Sequence, residues 1–338
     1  MLSSLLRQVA DRTAVLENFL RLCTACDEAA EQPISVLSQE LLARNALPGD
    51  LAQERTFRHC SIIIQLYAIY EFFAEACIAF WLARLPRYQS FSELSAQFKN
   101  TYRYGLGRII QDIDKRRYRN LSLPVVLEKY LHSLRDDPPW ELVNEALTFH
   151  ATNLRRADLE KLFGSAGIDG VWHSLETHDL LRAQLIEADW NNSLEQMILD
   201  LVTFRNDASH GTPDEILGLE ILYEWITFVK GFCDALADVV THRIVKAEAS
   251  HLPESVLGVV TETLHGNIVI ATCNHGLIRV GDGFYFLREA NCTLAEIESI
   301  QVNDVDQEAI QVDQAGVEIG LRTSKKVGLN SRLVLVEN

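Results

Sequence analysis

Residues 203 to 215, TFRNDASHGTPDE, gather Arg205, Asn206, Asp207 and His210 into one short stretch between two long runs of helix-like apolar periodicity. A guanidinium grips a phosphate through two parallel N–H donors, and an imidazole with an unperturbed pKa of about 6.5 gives and takes protons near neutrality. An arginine beside a histidine is therefore a competent pair for breaking a phosphodiester. The guanidinium holds the charge that builds on phosphorus, and the imidazole moves the proton. Asn206 can steady either partner by hydrogen bonds. On a regular helix Arg205 and His210, five positions apart, diverge by about 140°, whereas Asn206 and His210 lie within about 40°. Bringing Arg205 and His210 together requires the last turn to unwind, or a second copy of the chain to supply the other half. Neither residue belongs to the apolar stripe of that helix on this reading, and the bland alternative is a helix end that is capped and salt-bridged locally.

The elements that must position these residues are legible around them. Gly211 can take the left-handed conformation that ends the motif helix, read as 193–210. Thr212 as N-cap, Pro213 at the first position and Glu215 three after the cap form a capping box that predicts the last long helix over 213–247. Upstream, apolar residues recur at helical spacing almost everywhere. They predict helices near 2–30, 50–85, 122–135, 138–150, 156–164 and 171–188, with turns near 91–99 and 104–113. From about residue 254 the pattern changes to short alternating runs broken by Gly, Asn and Asp, and Pro253 stops the helical pattern just before them. The expected fold class is multidomain α + β: an all-α helical bundle with a helical insertion over residues 1–249, then a small β-barrel over 254–338. The length of 338 residues agrees, since it exceeds what a single core usually supports.

Composition narrows the function classes. The chain carries 31 Lys and Arg against 47 Asp and Glu, a formal charge of −16, which argues against wholesale coating of nucleic acid. Contact with RNA has to be local. Seven cysteines, scattered among apolar neighbours, suggest reduced thiols, and the spacing of Cys23 and Cys26 lacks the second ligand pair a zinc site needs. The N-terminus reads as an amphipathic helix and not a signal peptide, so a cytoplasmic location is expected. Residues 61–85 are the one membrane-like run. Gln65, Glu71 and Glu75 interrupt it, which predicts a buried core helix and no membrane partner. No pattern for a serine nucleophile, an HExxH metal site or a phosphate-binding loop stands out; His173 and His178 read as surface helix.

Arg205, a polar residue, three more positions and His210 resemble the R-polar-x3-H signature of HEPN ribonucleases. IIQLYAIYEFFAEACIAF resembles the long early helix of a bacterial HEPN branch, with Glu71 where such proteins carry an acidic residue. ELVNEALTFHATNLRRADLEKLFGSAGI resembles the middle insertion of that branch, and FRNDASHG its motif helix. Thr212 stands where one toxin subgroup has a tyrosine two places after the histidine, so the resemblance excludes that subgroup. What it implies is a metal-independent endoribonuclease, without cofactor, active as a homodimer whose two motifs face each other over one composite site. Arg205, His210 and Asn206 would be catalytic, with Glu71 and Asp207 in support. It further implies a toxin or anti-phage defence role, with an antitoxin or another defence-system protein as partner. The alternative within the family is a non-catalytic adaptor that binds RNA or protein.

Two further segments bear on function. Residues 99 to 119, KNTYRYGLGRIIQDIDKRRYR, carry seven Lys or Arg against two Asp, interleaved with Tyr102, Tyr104 and Tyr118. Arginines on phosphates with tyrosines stacking on bases is the make-up of a single-strand RNA surface, and Arg103, Lys115, Arg116, Arg117, Arg119 and Tyr118 are its candidate residues. A solvated basic face is the competing reading. The C-terminal part, through its VGD turn and its SIQV and AGVEIGL strands, resembles the β-barrel that follows the GTPase domain in translation factors such as elongation factor Tu. Residues 250–338 hold 6 Lys and Arg against 12 Asp and Glu, which favours a specificity or protein-docking role for the barrel over a general RNA surface.

Overall fold

The computed structural model describes residues 1–31, 51–137, 140–150, 152–187, 192–211 and 213–336. Among them, helices run over Ser3–Glu31 (α1), Leu51–Leu82 (α2), Leu85–Tyr88 (α3), Ala96–Gln111 (α4), Leu123–Arg135 (α5), Glu145–Thr148 (α6), Arg156–Ser165 (α7), Val171–Glu176 (α8), Asp179–Glu187 (α9), Leu194–His210 (α10) and Leu219–His251 (α11). The helical fold is built around α2. Leu66, Ile69, Tyr70, Phe73, Ala74, Cys77, Ile78 and Leu82 are each at most 2% exposed, and at 100° per residue they span an arc of about 220° around its axis. A helix apolar on so many sides has to be wrapped. α1, α10 and α11 pack against it, and the insertion closes it further, through the Tyr70 hydroxyl donating to Leu154 O (2.8 Å) and Trp81 Nε1 donating to Ala166 O (2.8 Å). By length and hydropathy α2 passes as a membrane span, but its burial inside the bundle makes it a core helix.

The insertion departs from the periodic reading in three places. Residues 96–111 form the regular helix α4, begun by the Ser95 side chain accepting from Phe98 N (3.1 Å), where turns were expected. Of the helix expected over 138–150 only Glu145–Thr148 is helical, and residues 138 and 139 lie outside the described ones. Trp140, Leu142 and Val143 instead insert their side chains as an irregular segment, and the Tyr102 hydroxyl accepts the Val143 N–H (3.0 Å) that a helix would have satisfied. The helix expected over 171–188 breaks into α8 and α9 at Thr177, whose hydroxyl bonds back to His173 O (2.8 Å).

The glycines of α4 have a packing role. A Cβ built on Gly105 would stand 1.9 Å from Ala146 O, so α4 and α6 touch backbone to backbone there, whereas nothing lies within 4 Å of the same position at Gly107. Gly105→Ala should therefore destabilise the protein by about 1–3 kcal/mol in denaturant melts, while Gly107→Ala should stabilise it by about 0.5–1 kcal/mol through helix propensity. Equal effects at the two positions would refute the close-approach argument.

From Pro253 onward the chain is β-structure. Strands Val256–Thr263 (β1), Ile268–Cys273 (β2), Gly276–Arg279 (β3), Gly283–Leu287 (β4), Cys292–Val302 (β5), Val305–Gln307 (β6), Ala309–Val312 (β7), Val317–Thr323 (β8) and Arg332–Val334 (β9) are paired antiparallel. The ring β4-β9-β1-β2-β8-β5 closes because β5 also pairs with β4, giving a six-stranded barrel with β6 hairpinned onto β5. That hairpin turns on Asn303 and Asp304, both at positive φ (52° and 62°), as a two-residue turn requires. Alternate residues, among them Val269, Ala271 and Cys273 on β2 and Ile319 and Leu321 on β8, fill the interior. The barrel rests on the end of α11 through a small apolar cluster of Val245, Ala249, Tyr285, Leu287 and Val334. Lys246 Nζ to Glu289 Oε1 (2.6 Å) and His242 Nε2 to Arg288 O (3.0 Å) flank it.

Candidate functional site

α10 starts where Ser193 accepts from Gln196 N (3.2 Å) and stops where Gly211 adopts φ 72°. The expected left-handed glycine is in place. Of the two ways to bring Arg205 and His210 together, unwinding of the last turn is not seen: the helix is regular through His210, so the two keep their angular separation of about 140°. The capping box is not used either. Thr212 lies outside the described residues, Pro213–Gly218 are non-helical and α11 begins at Leu219, with Gly218 as N-cap. The reason is tertiary. Leu217 is buried, and its N–H donates to Nδ1 of His59 (3.2 Å), a fully buried imidazole on α2. Burial holds the His59 pKa below its ordinary value and so keeps it neutral, with Nδ1 free to accept; its Nε2 meets no hydrogen-bond partner among the described residues.

Leu194, Ile198, Leu201 and Arg205 follow one another at helical spacing, so Arg205 extends the core-facing stripe of α10 instead of standing apart from it, as the sequence reading had it. Its guanidinium lies 5.1 Å from the centroid of the Tyr67 ring on α2, and Nη1 donates to Asn206 Oδ1 (3.2 Å). The same Oδ1 accepts from Asn153 Nδ2 (2.8 Å). Among the described residues Arg205 makes no ion pair with a carboxylate, whereas Arg58, Arg87, Arg117 and Arg156 all do. Its positive charge is held by neutral groups and stays available. His210 is exposed at the helix end, with no hydrogen bond among the described residues.

Glu71 joins this neighbourhood, because Tyr67 donates its hydroxyl hydrogen to Glu71 Oε1 (3.3 Å) while also accepting Leu154 N–H (2.9 Å). Asp207 does not. It lies about 200° around α10 from Arg205, on the side where its charge acts on His59. Two residues that local reasoning missed complete the cluster. Glu75, one turn beyond Glu71, accepts from His150 Nε2 (3.1 Å), and His150 Nδ1 faces Thr152 O (2.8 Å). The hydrogen bond to Glu75 raises the His150 pKa. Nothing local singles out His150, since its partners on α2 are about 75 residues away in the chain.

Comparison with known proteins matches residues 1–249 to the model of the MAE_28990-like HEPN family. The chain belongs to this family. No curated protein matches it. Among solved structures the chain is similar to the C-terminal domain of a Geobacillus thermoleovorans protein described as a U32 peptidase, at 19% identity and TM-score 0.21, over 25% of this chain and 94% of that one.

In this HEPN chain the basic segment is rearranged relative to expectation. Tyr102 and Tyr118, read as stacking platforms, are 0% and 2% exposed and belong to the core: Phe98, Tyr102, Leu106 and Ile109 form the buried stripe of α4, and Tyr118 is buried in the same apolar cluster. Tyr104 is exposed, beside Arg103. Lys115 pairs with Asp112 (2.9 Å). Arg117 reaches Glu75 (3.9 Å), and both it and Arg108 meet the Phe149 ring, at 4.5 and 3.4 Å. Arg116 and Arg119 remain exposed. If these two make phosphate contacts, Arg116→Glu with Arg119→Glu should weaken binding of single-stranded RNA and flatten the log–log salt slope by roughly 1.4, the value for two contacts. An unchanged slope in a binding titration would identify a solvated basic face.

Proposed function

We propose that the protein is an endoribonuclease that needs no metal and works as a homodimer, with Arg205 and His210 of both copies forming one composite site. The observation that carries this reading is the Arg205 guanidinium, which among the described residues pairs with no carboxylate and is held by the Tyr67 ring and Asn206, at a helix end where His210 has no hydrogen-bond partner among them. Since the helix does not unwind, one chain cannot close the pair, and a second chain across a two-fold axis supplies it. Phe57 and Ile64, seven residues apart and so on one face of α2, are 69% and 38% exposed, and Leu199 on α10 is 38% exposed. They offer apolar surface on the two helices that carry Tyr67 and Arg205.

In the proposed reaction one His210 takes the proton of the ribose 2′-hydroxyl and that oxygen attacks phosphorus. The bond to the 5′ oxygen breaks, and this oxygen takes a proton from the second His210 or from water. Arg205 stabilises the phosphorane charge, Asn206 holds the guanidinium, and Glu71 acts through Tyr67. The products are a 2′,3′-cyclic phosphate and a free 5′-hydroxyl. A toxin or anti-phage setting in the cytoplasm, with a neutralising or defence partner, accompanies this reading as its biological context.

His210→Ala should reduce RNA cleavage by about 10²- to 10⁴-fold with little change in melting temperature, and Arg205→Lys, which keeps the positive charge but loses the fork, should do the same. Cleavage should continue in EDTA and stop on a substrate with 2′-deoxyribose at the scissile position. Cleavage that survives in both variants, or that requires Mg²⁺, would show that this motif is not the active site, and a wild type that cleaves no RNA would leave the non-catalytic adaptor as the reading. Scattering and sedimentation should show a dimer that Phe57→Asp with Ile64→Asp converts to folded monomers lacking cleavage. A wild-type monomer that cleaves RNA would exclude the composite site.

A further inference from the structure

Phe149, His150 and Thr152–Leu154 form a strap between the basic segment and the motif helix. At one end the Phe149 ring meets both the Arg108 and the Arg117 guanidinium groups, 3.4 and 4.5 Å from its centroid. At the other, Leu154 N–H donates to Tyr67 and Asn153 donates to Asn206, the two groups that hold Arg205. Between them both ring nitrogens of His150 face acceptors, Thr152 O at 2.8 Å and Glu75 Oε1 at 3.1 Å, with Glu71 Oε1 at 3.7 Å, and the side chain is 13% exposed. A neutral imidazole donates through one nitrogen alone; the imidazolium donates through both.

We infer that His150 is a positioning residue of the site: its imidazolium clasps the strap to the acidic edge of α2 and thereby sets Asn153 on Asn206 and the Arg205 guanidinium in place. The inference rests on the nuclease reading for its kinetic consequence, though not for its geometry. The charged groups around the clasp are Glu71 and Glu75 of α2, Arg117 on the far side of Glu75, Arg108 against Phe149, and Asp158 of α7, which accepts from the Thr152 hydroxyl (2.7 Å). The His150 pKa lies above its ordinary value, chiefly through the Glu75 hydrogen bond. The clasp is therefore complete below about pH 6.5 and is lost as pH rises through the raised folded-state value.

The test is the single-turnover cleavage rate of the full-length dimer, as the ratio of wild type to His150→Gln across pH. The ratio should be about ten- to a hundredfold near pH 6 and fall toward one at higher pH, because the variant lacks a clasp that the wild type itself then loses. In an Asn153→Ala background His150→Gln should cost no further rate, since the link it acts through is already cut. A ratio independent of pH, or an equal loss in the Asn153→Ala background, overturns the inference. Should the Gln variant fail to fold, His150→Arg keeps a charged donor and should lose less rate than the wild type as pH rises; an identical decline overturns it. If the wild type cleaves no RNA, the nuclease reading falls alone. The Arg205 Nε–H NMR signal, assigned by its loss in Arg205→Lys, then decides: it should move alike in His150→Gln and Asn153→Ala, and a signal that stays put refutes the positioning role.

Discussion

The wrapping of α2 is the constraint from which the rest of the helical part follows. Burying a large aliphatic or aromatic side chain contributes about 1.5–3 kcal/mol, and α2 presents such groups in so many directions that no single neighbour can cover them. α1, α10, α11 and the insertion each take a sector. One edge of α2 is polar, Tyr67, Glu71 and Glu75, spaced four apart so that successive residues drift by only about 40°. The motif helix and the strap meet along this edge. The site lies where the central helix is left incompletely covered, and the residues that complete the cover are also the ones that hold Arg205.

An acidic chain can still offer a local cation. At a Debye length of about 8 Å in physiological salt, distant carboxylates are screened, and what matters is the immediate surroundings of each guanidinium. Arg58 lies between Asp27 and Glu54, and Arg87 against the buried Glu248. Their charge is cancelled at contact. Arg205 has instead an aromatic face and an amide oxygen, which orient a cation without neutralising it. That difference separates an arginine neutralised at contact from one that pairs with no carboxylate among the described residues, and it lies in neighbours brought in from α2 and the strap.

How much of this was legible in the sequence follows from which forces are local. The helix that carries Arg205 and His210, the left-handed Gly211, the core role of the long apolar helix and the alternating strands of the barrel are all written in residue type and short-range spacing. The start of α11 was not, because the buried Leu217 and its bond to His59 override a good capping box across 158 residues of chain. Tyr118 and Tyr102 misled for a related reason: basic neighbours suggested a wet surface, while the spacing of Phe98, Tyr102, Leu106 and Ile109 was already that of a buried stripe. The place of Arg205 on the inward stripe of α10 could have been counted from Leu194, Ile198 and Leu201. His150 left no local trace, for its partners are two carboxylates on another helix.

α11 runs from the loop after the motif to the apolar cluster that seats the barrel, and at 33 residues it is about 50 Å long. Along its middle it is clamped into the bundle, and beyond it Leu252 passes directly into the Pro253–Ser255 turn, leaving no slack before the first strand. The helix acts as a ruler. From Leu219, just after the motif loop, to Val245, where the barrel cluster begins, it sets a constant span of about 39 Å, so any single molecule that touches both ends must match that length, and anything shorter engages one end or the other.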